Sequence, residues 1–219
     1  MIALNFIDKE LIALHGAETA KQSLELMKKL ELTELPVLDG IHFKGMITET
    51  ELLKSVDDSI SVGQIPLHIF ESVNQQCHFF EIWSRLVEVH LSCIAVVNEE
   101  NEYIGSIKQQ SLVQFYKQSF ALTEPGCIIV LNQRKRDYSL AKIAALVEEH
   151  DCVILSSFVT ETSDLEHILI TIKLNRTEPE LIIKSLQRHD IDIVDVFSEE
   201  TFSDLLKDRF NMLMSYLNI

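Results

Sequence analysis

The stretch that decides the fold runs from Leu35 to Leu53 and reads LPVLDGIHFKGMITETELL. Its two short apolar runs are separated by Asp39-Gly40, a strong hairpin signal because glycine accepts a positive φ angle. The polar residues from Thr48 onward are typical of a helix start. Apolar residues at helical spacing precede the hairpin, between Ala17 and Leu32. The order helix, strand, strand, helix describes about half a domain.

The same pattern returns about 60 residues further along the chain. Apolar residues at helical spacing run from Phe79 to Val89, and apolar runs at 93–97 and 103–107 flank a turn. Gly45 of the first copy aligns with Gly105 of the second. An internal repeat of this kind indicates two βαββα units that bury each other's sheet faces.

Leu35-Pro36-Val37 and the run from Gly45 to Glu51 resemble the motif of the cystathionine-β-synthase (CBS) domain, which occurs in pairs. Ser61-Val62-Gly63-Gln64-Ile65-Pro66 resembles the linker that joins the two members of a pair. The resemblance predicts one CBS motif at residues 1–58 and a second at residues 59–122. It implies that a small effector, an adenine nucleotide such as AMP, ADP or ATP, binds between the paired motifs.

A different order begins after Thr123-Glu124-Pro125-Gly126, whose composition is typical of a turn and marks a domain boundary. Residues 126–197 are predicted to form a strand, a helix, two strands, a helix and a strand, as in a ferredoxin-like unit. In topology this half resembles the ACT family of small-effector domains. ACT domains usually carry Pro and Gly in the turn before the first helix, whereas residues 132–138 contain neither. Taken together, the two halves resemble small regulatory proteins of the acetoin-utilisation type.

The last predicted element is an amphipathic helix at residues 198–219. Glu199 and Glu200 fall in its first turn, where acidic side chains are favourable to the helix dipole. Its polar face is too poor in basic residues for anionic lipid, so we expect it to dock on a protein core. The predicted fold class is therefore α+β: a tandem CBS pair, a ferredoxin-like ACT-type domain and a C-terminal helix.

Thr48 and Glu51 are the strongest candidates for a ligand site. In CBS pairs the matching hydroxyl touches a phosphate and the matching acid holds ribose hydroxyls, since a carboxylate accepts hydrogen bonds from a diol. The same Thr-x-x-Glu spacing also forms a capping box, in which the two side chains satisfy the start of a helix. Both interpretations fit the sequence. In the second copy the matching positions are Lys108 and Ser111, and Ser111 cannot act as a carboxylate.

The remaining candidates fall into two groups. Pro36, Val37 and Gly45 complete the ligand-binding set that the CBS resemblance implies, together with Lys108, whose ammonium group can meet a phosphate. Arg134-Lys135-Arg136 lies in the loop where ACT effectors often bind nearby, so it is a candidate for an anionic effector. Three charges on a loop are more often simply solvated.

Composition excludes several classes of function. The net charge of −15, from 19 basic and 34 acidic residues, opposes binding to nucleic acid or anionic membranes. The four cysteines are widely spaced, without a Cys/His cluster, which predicts free thiols in a reducing compartment and no metal site. We find no signal peptide, no apolar run of membrane length and no catalytic motif, and therefore expect a cytoplasmic protein that is not an enzyme.

The sequence thus predicts a regulatory homodimer that binds a small effector, needs no cofactor and passes the signal to a regulated protein partner. One alternative is an interaction scaffold whose ligand sites have been lost. Another is an amino-acid sensor that uses the ACT-like half. An open polar cleft at Thr48 and Glu51 would favour the sensor over the scaffold, and a cleft filled by side chains would favour the scaffold.

Overall fold

A computed structural model describes residues 1–55 and 59–198. It is a mixed α+β structure, as predicted, and the chain divides into two compact units, of which the first is Met1–Tyr116 and the second begins at Lys117. Residues 56–58, and residues 199–219 of the predicted C-terminal helix, lie outside the described residues.

The first repeat forms the helix, hairpin and helix that the sequence predicts, preceded by one short strand. Its elements are β1 (Leu14–His15), α1 (Ala20–Leu30), β2 (Glu34–Asp39), β3 (His42–Thr48) and α2 (Glu49–Leu53). The strand order is β1-β2-β3, with β1 parallel to β2 and β3 antiparallel to it. Gly40 has a φ of 62°, so the Asp-Gly turn works as predicted.

The second repeat copies this arrangement. Its elements are β4 (Ser72–Asn74), α3 (Phe79–Val89), β5 (Cys93–Val97), β6 (Tyr103–Lys108) and α4 (Gln109–Ser119). The strand order β4-β5-β6 again combines a parallel pair with an antiparallel hairpin. The internal repeat seen in the sequence is therefore a structural repeat.

The chain segment that leads into each repeat packs against the other repeat. The Ala3 N–H donates to the Cys77 carbonyl at 2.9 Å, and the Val62 N–H donates to the Glu18 carbonyl at 2.8 Å. Val62 follows Ala3 by 59 positions, and Cys77 follows Glu18 by 59 positions. The two hydrogen bonds are therefore related by the internal repeat. Ala3 and Phe6 are buried in the core of the second repeat. The first residues of the chain thus connect the two repeats.

The second unit has the predicted order of elements. They are β7 (Cys127–Arg134), α5 (Leu140–Glu148), β8 (Ile154–Glu161), β9 (His167–Leu174), α6 (Glu180–Arg188) and β10 (Asp192–Phe197). The four strands form an antiparallel sheet in the order β10-β7-β9-β8. Alternate residues of β9 are buried, and they share a core with apolar residues of α5 and α6.

One boundary in the second unit differs from the predicted one. The first strand continues through Asn132 and Gln133, which we expected in a loop, because both pair with β9. The helix α5 begins at Leu140, and the Ser139 hydroxyl caps it by accepting the Lys142 N–H at 3.3 Å.

Candidate functional site

The start of α2 and the segment that joins the two repeats border a cavity of about 630 Å³. Thr48 and Glu51, the two strongest sequence candidates, both line it. The other lining residues are Thr50, Lys54, Ser55, Ile60, Gln64, Ile65, Pro66 and His68. The volume is in the range of small-molecule sites, about 300 to 1,000 Å³. The cleft is thus open and carries both polar and apolar side chains.

Thr48 and Glu51 form the capping box that their spacing allows. The Thr48 N–H donates to Glu51 Oε2 at 2.7 Å, the Thr48 hydroxyl donates to the same oxygen at 2.9 Å, and the Glu51 N–H donates to Thr48 Oγ1 at 3.2 Å. Each of the three hydrogen bonds is accepted by Glu51 Oε2 or by Thr48 Oγ1. Within the described residues no hydrogen bond reaches Glu51 Oε1. The pair therefore caps the helix, and the cap uses one of the two carboxylate oxygens of Glu51.

Two basic side chains, Lys54 and His68, line the cleft, and sequence reasoning missed both. Lys54 follows Glu51 by three positions, a spacing that could have indicated a shared helix face. His68 lies in the joining segment, and its sequence neighbours gave no signal for it. Neither residue forms an ion pair with another described residue. Both side chains carry nitrogen atoms that can donate hydrogen bonds.

Pro36 and Val37 belong to β2 and Gly45 to β3, and none of the three lines the cavity. Pro36 and Val37 are buried in β2, where they pair with Met46 and Gly45 of β3. Gly45 has a φ of 154°, and a side-chain carbon there would come within 3.0 Å of the Ile69 carbonyl oxygen. Glycine is needed at this position because the joining segment passes directly over β3.

Lys108 occupies the place in the second repeat that Thr48 holds in the first. Its Nζ lies 3.0 Å from Asp8 Oδ2, and both side chains are mostly buried. Partial burial alone would raise the pKa of Asp8, but the Glu10 N–H and the Lys108 ammonium outweigh it and lower that pKa below its ordinary value. Lys108 is therefore neutralised by a carboxylate of the chain itself.

The basic tripeptide that we considered as an effector loop begins at the end of β7. Arg134 is the last residue of that strand, and Lys135–Asp137 form a 3-10 turn. Lys135 Nζ lies 3.0 Å from Glu161 Oε1, and Arg136 Nε lies 3.7 Å from Asp137 Oδ2. Two of the three charges thus have partners in the second unit, and no residue of the tripeptide lines the Thr48 cleft.

Among residues 1–55 and 59–198, no three His, Cys, Asp or Glu side chains are grouped so that they could hold a metal ion. No helix in that part of the chain is long and apolar enough to span a membrane. Cys93, Cys127 and Cys152 are buried free thiols, and burial raises the pKa of Cys127 to about 11. A thiol that stays protonated is a poor nucleophile.

Comparison with known families identifies the repeat that carries the cleft. Residues 3–58 match the family model of the CBS domain. This match contains all of the first repeat and the Thr48, Glu51 and Lys54 side of the cavity. The first repeat thus resembles a CBS domain, and we call it the CBS repeat.

Similarity to individual proteins is weaker. A homoserine O-acetyltransferase from Methanococcus vannielii is 25% identical over 117 residues, 51% of this chain, and the chain spans about a quarter (24%) of that relative's length. A CBS domain pair/ACT domain protein from Thermotoga maritima is 19% identical, with a TM-score of 0.49 over 53% of this chain and 96% of that one. CBSX2, solved in complex with AMP, is 18% identical, with a TM-score of 0.46 over 53% and 96% of the two chains.

Proposed function

We propose that this protein is a non-catalytic sensor whose Thr48–His68 cleft binds a small effector, and that the effector is an adenine nucleotide. One observation carries the proposal. The Thr-x-x-Glu pair of the CBS repeat opens onto a cavity of about 630 Å³ that is also lined by Lys54 and His68, neither of which forms an ion pair with another described residue. An open polar cleft is the feature that distinguishes the sensor from a scaffold whose sites are filled.

The chemistry of the cleft matches the three parts of a nucleotide. Lys54 and His68 can hold phosphate oxygens, because hydrogen bonds from charged donors to phosphate are strong. Glu51 Oε1 can accept hydrogen bonds from ribose hydroxyls. Ile60 and Ile65 provide apolar surface for a flat base, and ligand sites commonly combine such surface with a few polar groups.

The first prediction concerns these contacts. Lys54→Ala with His68→Ala should weaken AMP binding by at least about tenfold, because the loss of 1.4 kcal/mol already corresponds to that factor. Isothermal titration calorimetry with AMP, ADP, ATP and S-adenosylmethionine measures it. The matched control is Lys21→Ala with His42→Ala, which removes the same two side-chain types at exposed positions outside the cleft.

The role of Glu51 needs a variant that spares the capping box. Glu51→Gln removes the charge, while glutamine at this position still caps a helix. We expect this variant to keep the stability of the wild type and to lose affinity for the nucleotide. Unchanged affinity in both Glu51→Gln and the Lys54/His68 variant would contradict the proposed site.

The second prediction concerns stoichiometry. In the second repeat the place of Thr48 is taken by Lys108, which is already paired with Asp8. Ser111 stands where the CBS repeat has Glu51, so the ribose acceptor is missing as well. We therefore expect one nucleotide per chain in the calorimetric titration. Two equivalent sites per chain, or binding that depends on Lys108, would contradict this expectation.

The output of the sensor is part of the proposal. We propose a cytoplasmic homodimer that presents its ligand-dependent state to a regulated protein partner. The strand β8 supports a dimer through the second unit, because it lies at the edge of its sheet and pairs only with β9 among the described strands. An edge strand of eight residues without Pro or Gly is a template for pairing with another strand. Sedimentation equilibrium measures the oligomeric state.

A further inference from the structure

The four-stranded sheet of the second unit has two faces, and α5 and α6 both pack on the same one. Successive residues of a strand point to opposite faces of a sheet. Apolar residues of the two helices share a core with Ile129 of β7 and with Ile170 and Ile172 of β9. The residues between them belong to the opposite face, which we call the outer face. Val130 and Thr171 lie on it and pair with each other.

The outer face carries large apolar side chains from all four strands. Phe197 of β10 pairs with Ile128 of β7, and Phe158 of β8 pairs with Thr171 of β9. Phe158 is 45% exposed and Phe197 is 55% exposed. The solvent face of an antiparallel sheet is ordinarily polar, so such residues indicate a surface that another segment covers. The apolar residues of the outer face are Ile128, Val130, Phe158, Leu169 and Phe197.

One side of the outer face is already in contact with the segment that leads into the second unit. The rings of Phe120 and Phe158 have their centroids 6.0 Å apart. The Ser156 hydroxyl donates to the Phe120 carbonyl at 3.0 Å, and Lys173 Nζ donates to the Ala121 carbonyl at 2.6 Å. These contacts lie on β8 and β9. The apolar residues of β7 and β10 lie on the other side of the same face.

The chain leaves the sheet on that other side. The edge strand β10 ends at Phe197, and residues 199–219 follow after one residue. A helix of 21 residues is about 31 Å long, whereas four strands about 4.8 Å apart span only about 14 Å. The segment is therefore long enough to cross the face. Its apolar residues recur at the spacing of one helix face, at Phe202, Leu205, Leu206, Phe210, Leu213 and Leu217.

We propose that residues 199–219 form a helix whose apolar stripe docks on the outer face of the sheet in the same chain. The segment begins at the edge of this face, so its effective concentration there is far above that of a separate molecule. Docking gives the second unit three layers, with helices on both sides of its sheet. The surface contains no residue of the Thr48–His68 cleft and does not depend on the function proposed for that cleft.

Methyl NMR of the full chain, with ¹³C-labelled Ile, Leu and Val methyl groups, tests this proposal. We expect nuclear Overhauser effects (NOEs) from the methyl groups of Ile128, Val130 and Leu169 to the ring protons of Phe202 or Phe210. Such NOEs require protons within about 5 to 6 Å of each other, a distance comparable to the separation of adjacent strands.

Leu206→Asp with Leu213→Asp should abolish these NOEs, because it places two charges in the apolar stripe. The matched control, Asn211→Asp with Ser215→Asp, adds the same two charges on the opposite side of the helix and should leave the NOEs in place. In both variants the methyl groups of Ile170 and Ile172, on the core face, report whether the second unit is still folded.

Three results would overturn the proposal. NOEs seen only between differently labelled chains of a mixed sample would assign the outer face to a second copy. NOEs from its methyl groups to residues 1–116 instead would assign the face to the first unit. The absence of NOEs to residues 202–217, with unchanged outer-face shifts in the Leu206/Leu213 variant, would show that the segment does not dock there.

Discussion

Glu34→Ala is expected to lower the free energy of unfolding of the first unit by about 3 to 5 kcal/mol, because it leaves buried donors without their acceptor. Glu34 lies in β2 and is only 2% exposed. Its Oε1 accepts hydrogen bonds from the Ser92 N–H, from the Ser92 hydroxyl at 2.7 Å and from the Cys93 N–H at 2.8 Å. Its Oε2 accepts the Thr33 hydroxyl at 2.6 Å.

This carboxylate connects the two repeats through the start of β5. Two backbone N–H groups of the second repeat donate to one carboxylate oxygen of Glu34 in the first repeat. Truncation of Glu34 would leave both N–H groups without an acceptor in the interior. The same carboxylate lies close to the Cys93 thiol, and burial together with the Glu34 charge raises the pKa of Cys93. The first unit should therefore lose stability as a whole, and not only at the mutated strand.

Urea unfolding followed by the fluorescence of Trp83, the one tryptophan of the chain, measures this effect in the first unit. The control is Glu25→Ala on the exposed face of α1, which removes an equal charge and should change stability by no more than about 0.5 kcal/mol. A loss below about 1 kcal/mol in Glu34→Ala would show that water replaces the carboxylate without cost.

The second large effect is expected for Gly126→Ala, at the start of β7. Gly126 has a φ of 153°, and an added side-chain carbon would overlap the carbonyl oxygen of Leu174 in β9. The obstacle is backbone, so relief requires the two central strands of the sheet to move apart. We expect a loss of at least about 3 kcal/mol in the second unit.

Hydrogen exchange of the β7 and β9 amides measures this loss within the second unit. The control is Gly40→Ala, where φ is 62° but nothing lies within 4 Å of the added carbon. There only the left-handed backbone is penalised, at a cost of about 1 kcal/mol. Equal effects of the two substitutions would mean that the sheet accommodates the extra carbon at Gly126.

The elements of this fold were predictable where the signal is local. Asp39-Gly40 between two apolar runs predicted the hairpin, which the structure confirms. The strand β7 is longer than expected because Asn132 and Gln133 pair with β9, which is a contact between distant segments. The assignment of the second unit to the ACT family and the domain limits proposed from the sequence stay predictions.

The site was predictable only in part, because half of it depends on contacts between distant segments. Thr48 and Glu51 follow from one spacing rule, whereas His68 reaches the cleft only because the joining segment folds over β3. Lys108 finds its partner Asp8 one hundred positions earlier in the chain. The buried position of Glu34 is equally invisible in the sequence, since an isolated acid beside apolar residues is typical of a surface strand.

The central claim is that the Thr48–His68 cleft holds the effector, and a titration of ¹⁵N-labelled protein with AMP, read by amide chemical shifts, tests it most directly. The account predicts saturable shifts at Thr48, Glu51, Lys54 and His68, with the second repeat's Lys108 and Ser111 little affected. Shifts confined to residues 127–197, or no saturable shift anywhere, would contradict it.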